Sequence, residues 1–477
     1  MKPIITKQPA SVRWALASLS LSVLLSSLGT SIANVALPNL ALAFNASFQA
    51  VQWIVLAYLL AITTLIVSVG RLGDLTGRRR LLLAGIVLFT VASVICGVAP
   101  TLGVLIAARA LQGFGAAIMM ALTMAFVGET VPKEKTGSAI GLLGTVSAIG
   151  TALGPSLGGV LISGLGWPAI FLINVPLGVV ALALAYRHLP LDKRERKIAR
   201  TGFDYPGTIL LALTLGAYAL AMTLGRGHFG AFNAALLVLA ACGVGLFVRI
   251  EANAVSPLIR PAMFADRALS SSLATSLLVS TVMMATLVVG PFYLSRTLGL
   301  GSALLGLVLS VGPLVAALTA MPAGRLADRF GAPRVTLIGL VGMLFGCATL
   351  ALLPTMFGIA GYIAPLVVIT SSYALFQTAN NTDVMSDVSA EQRGVISGLL
   401  NLSRNLGLIT GASVMGAVFA FASATTDITT APPEAVAIGL RVTFAVAASL
   451  IVAALAIAAS AYRSKSDGRK LAPQTLG

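Results

Sequence analysis

From residue 13 to residue 461 the chain is a series of apolar runs, each about twenty residues long, joined by short connections that hold most of the charge. A continuous run of that length, without strand-like alternation, suits a helix crossing a hydrocarbon core of ~30 Å. A barrel strand would be about half as long and would alternate apolar with polar residues. The runs fall at approximately 13–35, 50–69, 81–99, 102–125, 137–162, 168–187, 206–225, 231–249, 269–291, 303–323, 334–353, 358–382, 393–421 and 437–461. With 57% hydrophobic and 10% charged residues and a mean hydropathy of +0.97, the apolar surface exceeds what a soluble globule can hide. The expected fold class is an all-α integral membrane protein of about 14 transmembrane helices.

The net charge of +16 does not point to nucleic acid, because the basic residues are spread over alternate short loops rather than gathered on one face. Placing both termini in the cytoplasm puts Arg78 to Arg80, Lys133, Lys135, the segment Lys193 to Lys197, Arg249, Arg334 and the tail from Arg463 to Lys470 on the inner side. Arg226, Arg296 and Arg441 then remain outside. This is the positive-inside pattern of a multi-pass protein of the cell membrane, and it needs an even number of spans. The first run follows Lys2, Lys7 and Arg13, is too long for a signal-peptide core and leads directly into more spans, so it is read as a retained helix. Cys96, Cys242 and Cys347 all fall in spans and read as small core residues rather than disulfides. His188 and His228 stand apart, and no Walker loop, nucleophile elbow or zinc spacing occurs in the sequence. The chain therefore reads as a non-enzyme with no cofactor and no metal.

Internal repetition is the second constraint. Gly70-Arg71-Leu72-Gly73-Asp74-Leu75-Thr76-Gly77-Arg78-Arg79-Arg80 returns as Gly324-Arg325-Leu326-Ala327-Asp328-Arg329-Phe330-Gly331-Ala332-Pro333-Arg334, each between two apolar runs. The stretch from Glu134 to Leu143 returns as Glu391 to Leu400, after which Gly150, Gly154 and Gly159 align with Gly407, Gly411 and Gly416. The expected organisation is an N-terminal six-helix bundle over 1–187, a charged cytoplasmic linker over 188–205, and an inserted helix pair with its following cytoplasmic loop over 206–268. A pseudo-symmetric C-terminal six-helix bundle over 269–462 and a cytoplasmic tail over 463–477 complete it. Repeated halves imply alternating access around a site near the midplane at their interface.

Within this frame, Gly70, Asp74, Gly77, Arg78 and Arg79, with Gly324, Asp328 and Gly331 in the copy, form a candidate gating loop. The glycines permit a tight reversal, and an aspartate among arginines can lock one conformation; the plainer reading is a solvated ion pair. Arg109 lies about seven residues, or ~10 Å, into span 4, with Gln112 one turn on. A charge at that depth needs an aqueous cavity or a partner, either for function or as a structural arginine held by carbonyls or Gln112. Gly150, Gly154 and Gly158 fall four apart, with Pro155 and Gly159 beside them, giving a smooth stripe and a bend. Ala412 stands where the second half would have the proline.

With Arg109-Ala110-Leu111-Gln112-Gly113-Phe114-Gly115 in span 4 and Phe171 to Gly178 opening span 6, the chain resembles the major facilitator superfamily over nearly its whole length. The resemblance is to its fourteen-helix branch of drug:proton antiporters. It implies a secondary transporter that moves a small-molecule substrate in exchange for protons, usually as a monomer, with Arg109, Gln112, Asp74 and Glu129 candidates for proton coupling.

The pattern departs from that branch at Gly29, where an aspartate is usual. No Asp or Glu lies near the middle of any span, whereas Arg109 and Arg404 lie inside them, Arg404 about ten residues or ~15 Å in. A cavity with arginines and no carboxylate disfavours organic cations and suits neutral or anionic compounds. Candidate cavity residues are Asn34, Trp53, Tyr58, Gln377, Asn380, Asn381 and Arg404, with Gln52, Tyr373, Asn401 and Asn405 as further polar positions. Helix capping or cross-linking is the equal alternative for the asparagines, and an interfacial belt position for Trp53. The expected function is multidrug-type export of small amphipathic, neutral or anionic compounds by alternating access in exchange for protons. The alternatives are a dedicated exporter of one metabolite or siderophore-like anion, then an importer or symporter, then a non-transporting receptor.

Overall fold

The computed structural model describes residues 10–130, 136–190, 205–224, 230–253, 263, 265–352, 357–386, 393–424 and 431–471. Fourteen helices are long and apolar enough to span a membrane, and no strand occurs among the described residues. They are α1 (Ala10–Ala43), α2 (Phe48–Thr76), α3 (Arg78–Gly97), α4 (Leu102–Thr130), α5 (Thr136–Leu165), α6 (Ala169–Leu172 and Asn174–His188), α7 (Tyr205–Thr223) and α8 (Ala231–Asn253). There follow α9 (Arg267–Phe292), α10 (Ser302–Phe330), α11 (Ala332–Leu352), α12 (Gly358–Ser386), α13 (Arg393–Thr410, continued by a π-helical turn over Gly411–Met415 and by Gly416–Ala422) and α14 (Pro433–Leu471). Lys133, Lys135, the linker charges at 193–197, Arg226 and His228 lie outside the described residues.

Several helices overrun their apolar runs, because helical hydrogen bonding propagates cheaply through polar residues once it has started. This corrects one expectation: the repeated motif is not a loop. Asp74 is within α2 and Asp328 within α10, and each copy leaves the helix for a single residue, Gly77 or Gly331. Both glycines have positive φ, 97° and 86°. Each donates its N–H four residues back, Gly77 to the Gly73 carbonyl and Gly331 to that of Ala327, at 3.0 Å in both cases. A side chain would be strained in that conformation, so the glycine permits a one-residue reversal between helices.

The packing follows the sequence repeat. In the first six helices α1 lies on α5 and α6, α4 on α2 and α3, and α3 on α6; in the last six α9 lies on α13 and α14, α12 on α10 and α11, and α11 on α14. The two sets meet where α5 packs on α10, α2 on α13, and α1 on α9. The pair α7–α8 docks through α7 on α2 and the far part of α13.

The core shows where the sets are joined. Taking the end with Arg78 to Arg80 as the basic end, a single hydrophobic cluster links both sets toward the opposite end, with Phe48 edge-on to Phe292 at 4.7 Å and to Phe419 at 5.4 Å. Toward the basic end the clusters are separate, one confined to α1–α6 and others to the last six helices and α8.

Candidate functional site

Between the two sets lies a cavity of about 230 Å³, lined by α1, α4 and α5 from one side and α9, α10, α12 and α13 from the other. Ser27, Thr30, Ser31 and Asn34 form a polar stripe on α1, continued by Ser147 and Thr151 on α5; Met120, Met283 and Met284 supply adaptable apolar surface. Opposite are Tyr362, Thr370 and Tyr373 on α12 and Arg404 on α13. No carboxylate is among its described lining residues. Most of the hydroxyls bond a carbonyl one turn back, as Thr30 does to Ser26, Thr151 to Ser147 and Thr370 to Leu366. Among the described residues, three buried polar atoms of the lining have no hydrogen-bond partner: Asn34 Oδ1, Tyr362 Oη and Arg404 Nε. Each leaves a hydrogen bond that a polar group or water entering the cavity would complete.

Glycines bring the walls together. A Cβ on Gly150, Gly154 or Gly158 would meet α1 at Leu24, Ser31 or Val35, so this stripe is the seat of α1. Gly407 and Gly411 seat α9 on α13 in the same way. Gly159 points elsewhere: it abuts Ser302 and Gly306 of α10, across the junction of the two sets, while Pro155 lines the cavity. At the same end Asn39 donates to Ser302 Oγ at 3.1 Å, and Gln52 to the Ala412 carbonyl in the π turn of α13 at 3.0 Å.

Arg109 is not in the cavity. It is fully buried, donating through Nε to the Ile54 carbonyl at 2.9 Å, through one terminal nitrogen to Gln112 Oε1 at 2.5 Å and through the other to the Gly29 carbonyl at 3.1 Å. Its guanidinium carbon stands 4.1 Å from the centre of the Tyr58 ring, and Tyr58 Oη donates to the Ser26 carbonyl at 2.8 Å. Gln112 in turn donates to Ser93 Oγ at 2.7 Å. The result is a knot joining α1, α2, α3 and α4. Dipoles and π faces balance the charge, with Gly29 contributing its carbonyl where the related branch has a carboxylate.

Among the cavity expectations, Asn34, Arg404 and Tyr373 line the cavity. Trp53 instead donates to Thr223 Oγ1 of α7 at 3.1 Å, because the docked pair covers that side of α2. Tyr58 belongs to the arginine knot. Gln377 donates to Asn381 one turn on in α12 at 3.4 Å, and Asn380 donates to the Ser272 carbonyl at 3.5 Å, tying α12 to α9 nearer the basic end. Asn380 also borders a separate small pocket of about 50 Å³ with Asp383 and Tyr462. In the repeated motif Arg79 donates to the Tyr186 carbonyl and stacks on its ring, within the first six helices, and Arg78 is also engaged. Asp328 is exposed and makes no hydrogen bond or ion pair among the described residues. The side chains of Asp74 and Glu129 lie outside the described residues. The α1 hydroxyls Ser27, Thr30 and Ser31 went unpredicted; their signal was the helical spacing that puts them on one face with Asn34.

The sequence matches relatives of known name. It is 33% identical over 82% of this chain and 72% of the relative to the multidrug resistance protein Stp of Mycobacterium tuberculosis (strain ATCC 25618 / H37Rv). It is 31% identical over 84% of this chain and 86% of the relative to the riboflavin transporter RibZ of Clostridioides difficile (strain 630). In fold it is similar to a bacterial homologue of the human lysosomal transporter Spinster in an inward-facing, occupied conformation, with a TM-score of 0.71, 17% identity and coverage of 96% of this chain and 98% of that one. The profile described as Major Facilitator Superfamily matches residues 19–412. A membrane transporter rather than an enzyme, the chain belongs to the Major Facilitator Superfamily.

Proposed function

We propose that this transporter exports small amphipathic compounds, neutral or anionic, by alternating access in exchange for protons. The observation that carries the reading is the cavity between two repeated six-helix sets, whose described lining has hydroxyls, methionines, tyrosines and one arginine and no carboxylate. Arg109 is too fully bonded to serve as a mobile proton group, and an arginine rarely titrates. Proton exchange is assigned instead to carboxylates near the basic end, Asp74, Glu129 and Asp383. The basic end is cytoplasmic in this reading, by the positive-inside rule. Exposed Asp328 and its counterpart Asp74 engage arginines when the basic ends close, making the repeated motif a latch for the opposite conformation. Stp, a relative named for multidrug resistance, favours a broad substrate range. A dedicated exporter is the second reading: the cavity is below the ~300 Å³ where drug-sized pockets begin, and RibZ is named for one compound.

The test is efflux from cells expressing the protein, comparing ethidium as a cation with a panel of neutral antibiotics, before and after collapse of the proton gradient. Gradient-dependent export of neutral compounds without export of ethidium is expected. Strong ethidium efflux would sink the charge argument, and neutral efflux that survives collapse would remove proton exchange.

A further inference from the structure

Arg109 and Arg404 both lie within spanning helices, and their bonding is opposite. Arg109 has no accessible surface and uses all three nitrogens of its guanidinium. Arg404 lines the cavity, makes no hydrogen bond or ion pair among the described residues, and leaves Nε buried without an acceptor. A cation held at that depth without a counter-charge is costly, and the cost falls when an anion binds beside it. The guanidinium fork fits a carboxylate with two parallel hydrogen bonds. The same cavity offers flat and adaptable apolar surface from Tyr373, Tyr362 and the methionines.

We infer that the preferred ligand is a small aromatic or alicyclic organic acid whose carboxylate is bound by Arg404, a narrower class than neutral or anionic amphiphiles. The inference rests on the reading of this cavity as the transport site. It also makes the ligand the missing counter-charge: an acid enters a cavity with one unpaired cation, a neutral compound leaves that cation unpaired, and an amine adds a second. The small volume favours one- or two-ring bodies over larger drugs.

Three probes of one shape separate the contributions: 2-naphthoate, 2-naphthamide and 2-naphthylmethylammonium, titrated against the full-length protein in nanodiscs of zwitterionic lipid. The acid is expected to bind about tenfold more tightly than the amide, with the ammonium weakest. Arg404→Gln should bring the acid-to-amide ratio down to about one, Arg404→Lys should restore part of it, and Arg296→Gln, outside the cavity, should leave it unaltered. Size exclusion and thermal unfolding establish that the variants are folded. Equal binding of acid and amide by the parent protein, or a ratio unchanged by Arg404→Gln, overturns the inference. A ratio that falls as far with Arg296→Gln overturns it too, since the preference would then come from overall charge. Failure of the export reading shows differently: the acid would bind with the expected ratio, yet none of the three probes would be moved in proteoliposomes.

Discussion

At the scale of single residues, a charge in a membrane helix is visible in sequence but its use is not. Arg109 and Arg404 are equally legible as embedded cations. What separates them is supplied by other helices: the Ile54 and Gly29 carbonyls that occupy Arg109 belong to α2 and α1, and nothing local announces them. The same substitution should therefore have opposite effects. Arg109→Met strips a fully buried knot and leaves two carbonyls and Gln112 without their donor, so it should cost about 3 kcal/mol of stability. Arg404→Met removes a cation that makes no hydrogen bond or ion pair among the described residues and should leave stability unchanged or raise it. Denaturant unfolding of the two purified variants in detergent checks the pair. Equal losses would make Arg404 a structural residue. The α1 hydroxyls were less legible than either arginine, because bonding to their own helix lets them pass for apolar residues.

Elements were more readable, wherever the information is periodic along one helix. Gly150, Gly154 and Gly158 define a stripe by spacing alone, and α1 lies on it. A Cβ at Gly154 would overlap the Ser31 side chain and stand 3.0 Å from the Ile32 backbone nitrogen, whereas nothing lies within 4 Å of one at Gly144 on the same helix. Gly154→Val should accordingly reduce the yield of folded protein severalfold, while Gly144→Val is expected to express normally; fluorescence size-exclusion profiles of the two would decide. Equal tolerance would mean that α1 and α5 are not seated as described. The role of Gly159 was not readable, since its partner Gly306 is on a distant helix and both sit in ordinary small-residue settings. The side of α2 bearing Trp53 was misjudged for a related reason: the spacing identifies a face, but the α7–α8 pair decides whether that face meets cavity, lipid or protein.

For the whole molecule, the repeat in sequence reappears as a repeat in packing, and among the described residues the two sets are sealed to each other at the end opposite the basic one. Phe48, Phe292 and Phe419, the Gly159–Gly306 contact and the Asn39–Ser302 hydrogen bond all belong to the sealed end, while toward the basic end the clusters stay apart. If transport proceeds by alternating access, this seal must break in every cycle. A disulfide across it, Asn39→Cys with Ser302→Cys in a background lacking Cys96, Cys242 and Cys347, should abolish transport when oxidised and restore it when reduced. The α7–α8 pair gives the matching control. It is tied to α2 at both ends, by Trp53 to Thr223 and by Ser68 to Thr208, whose hydroxyl oxygens are 2.9 Å apart, and meets α13 around Tyr218 between them, so we expect it to travel with the first set. Oxidising Ser68→Cys with Thr208→Cys should therefore leave transport intact. If the first disulfide is harmless, the sealed end does not open during transport; if the second is inhibitory, α7 slides on α2 and the inserted pair is a moving part rather than a passenger.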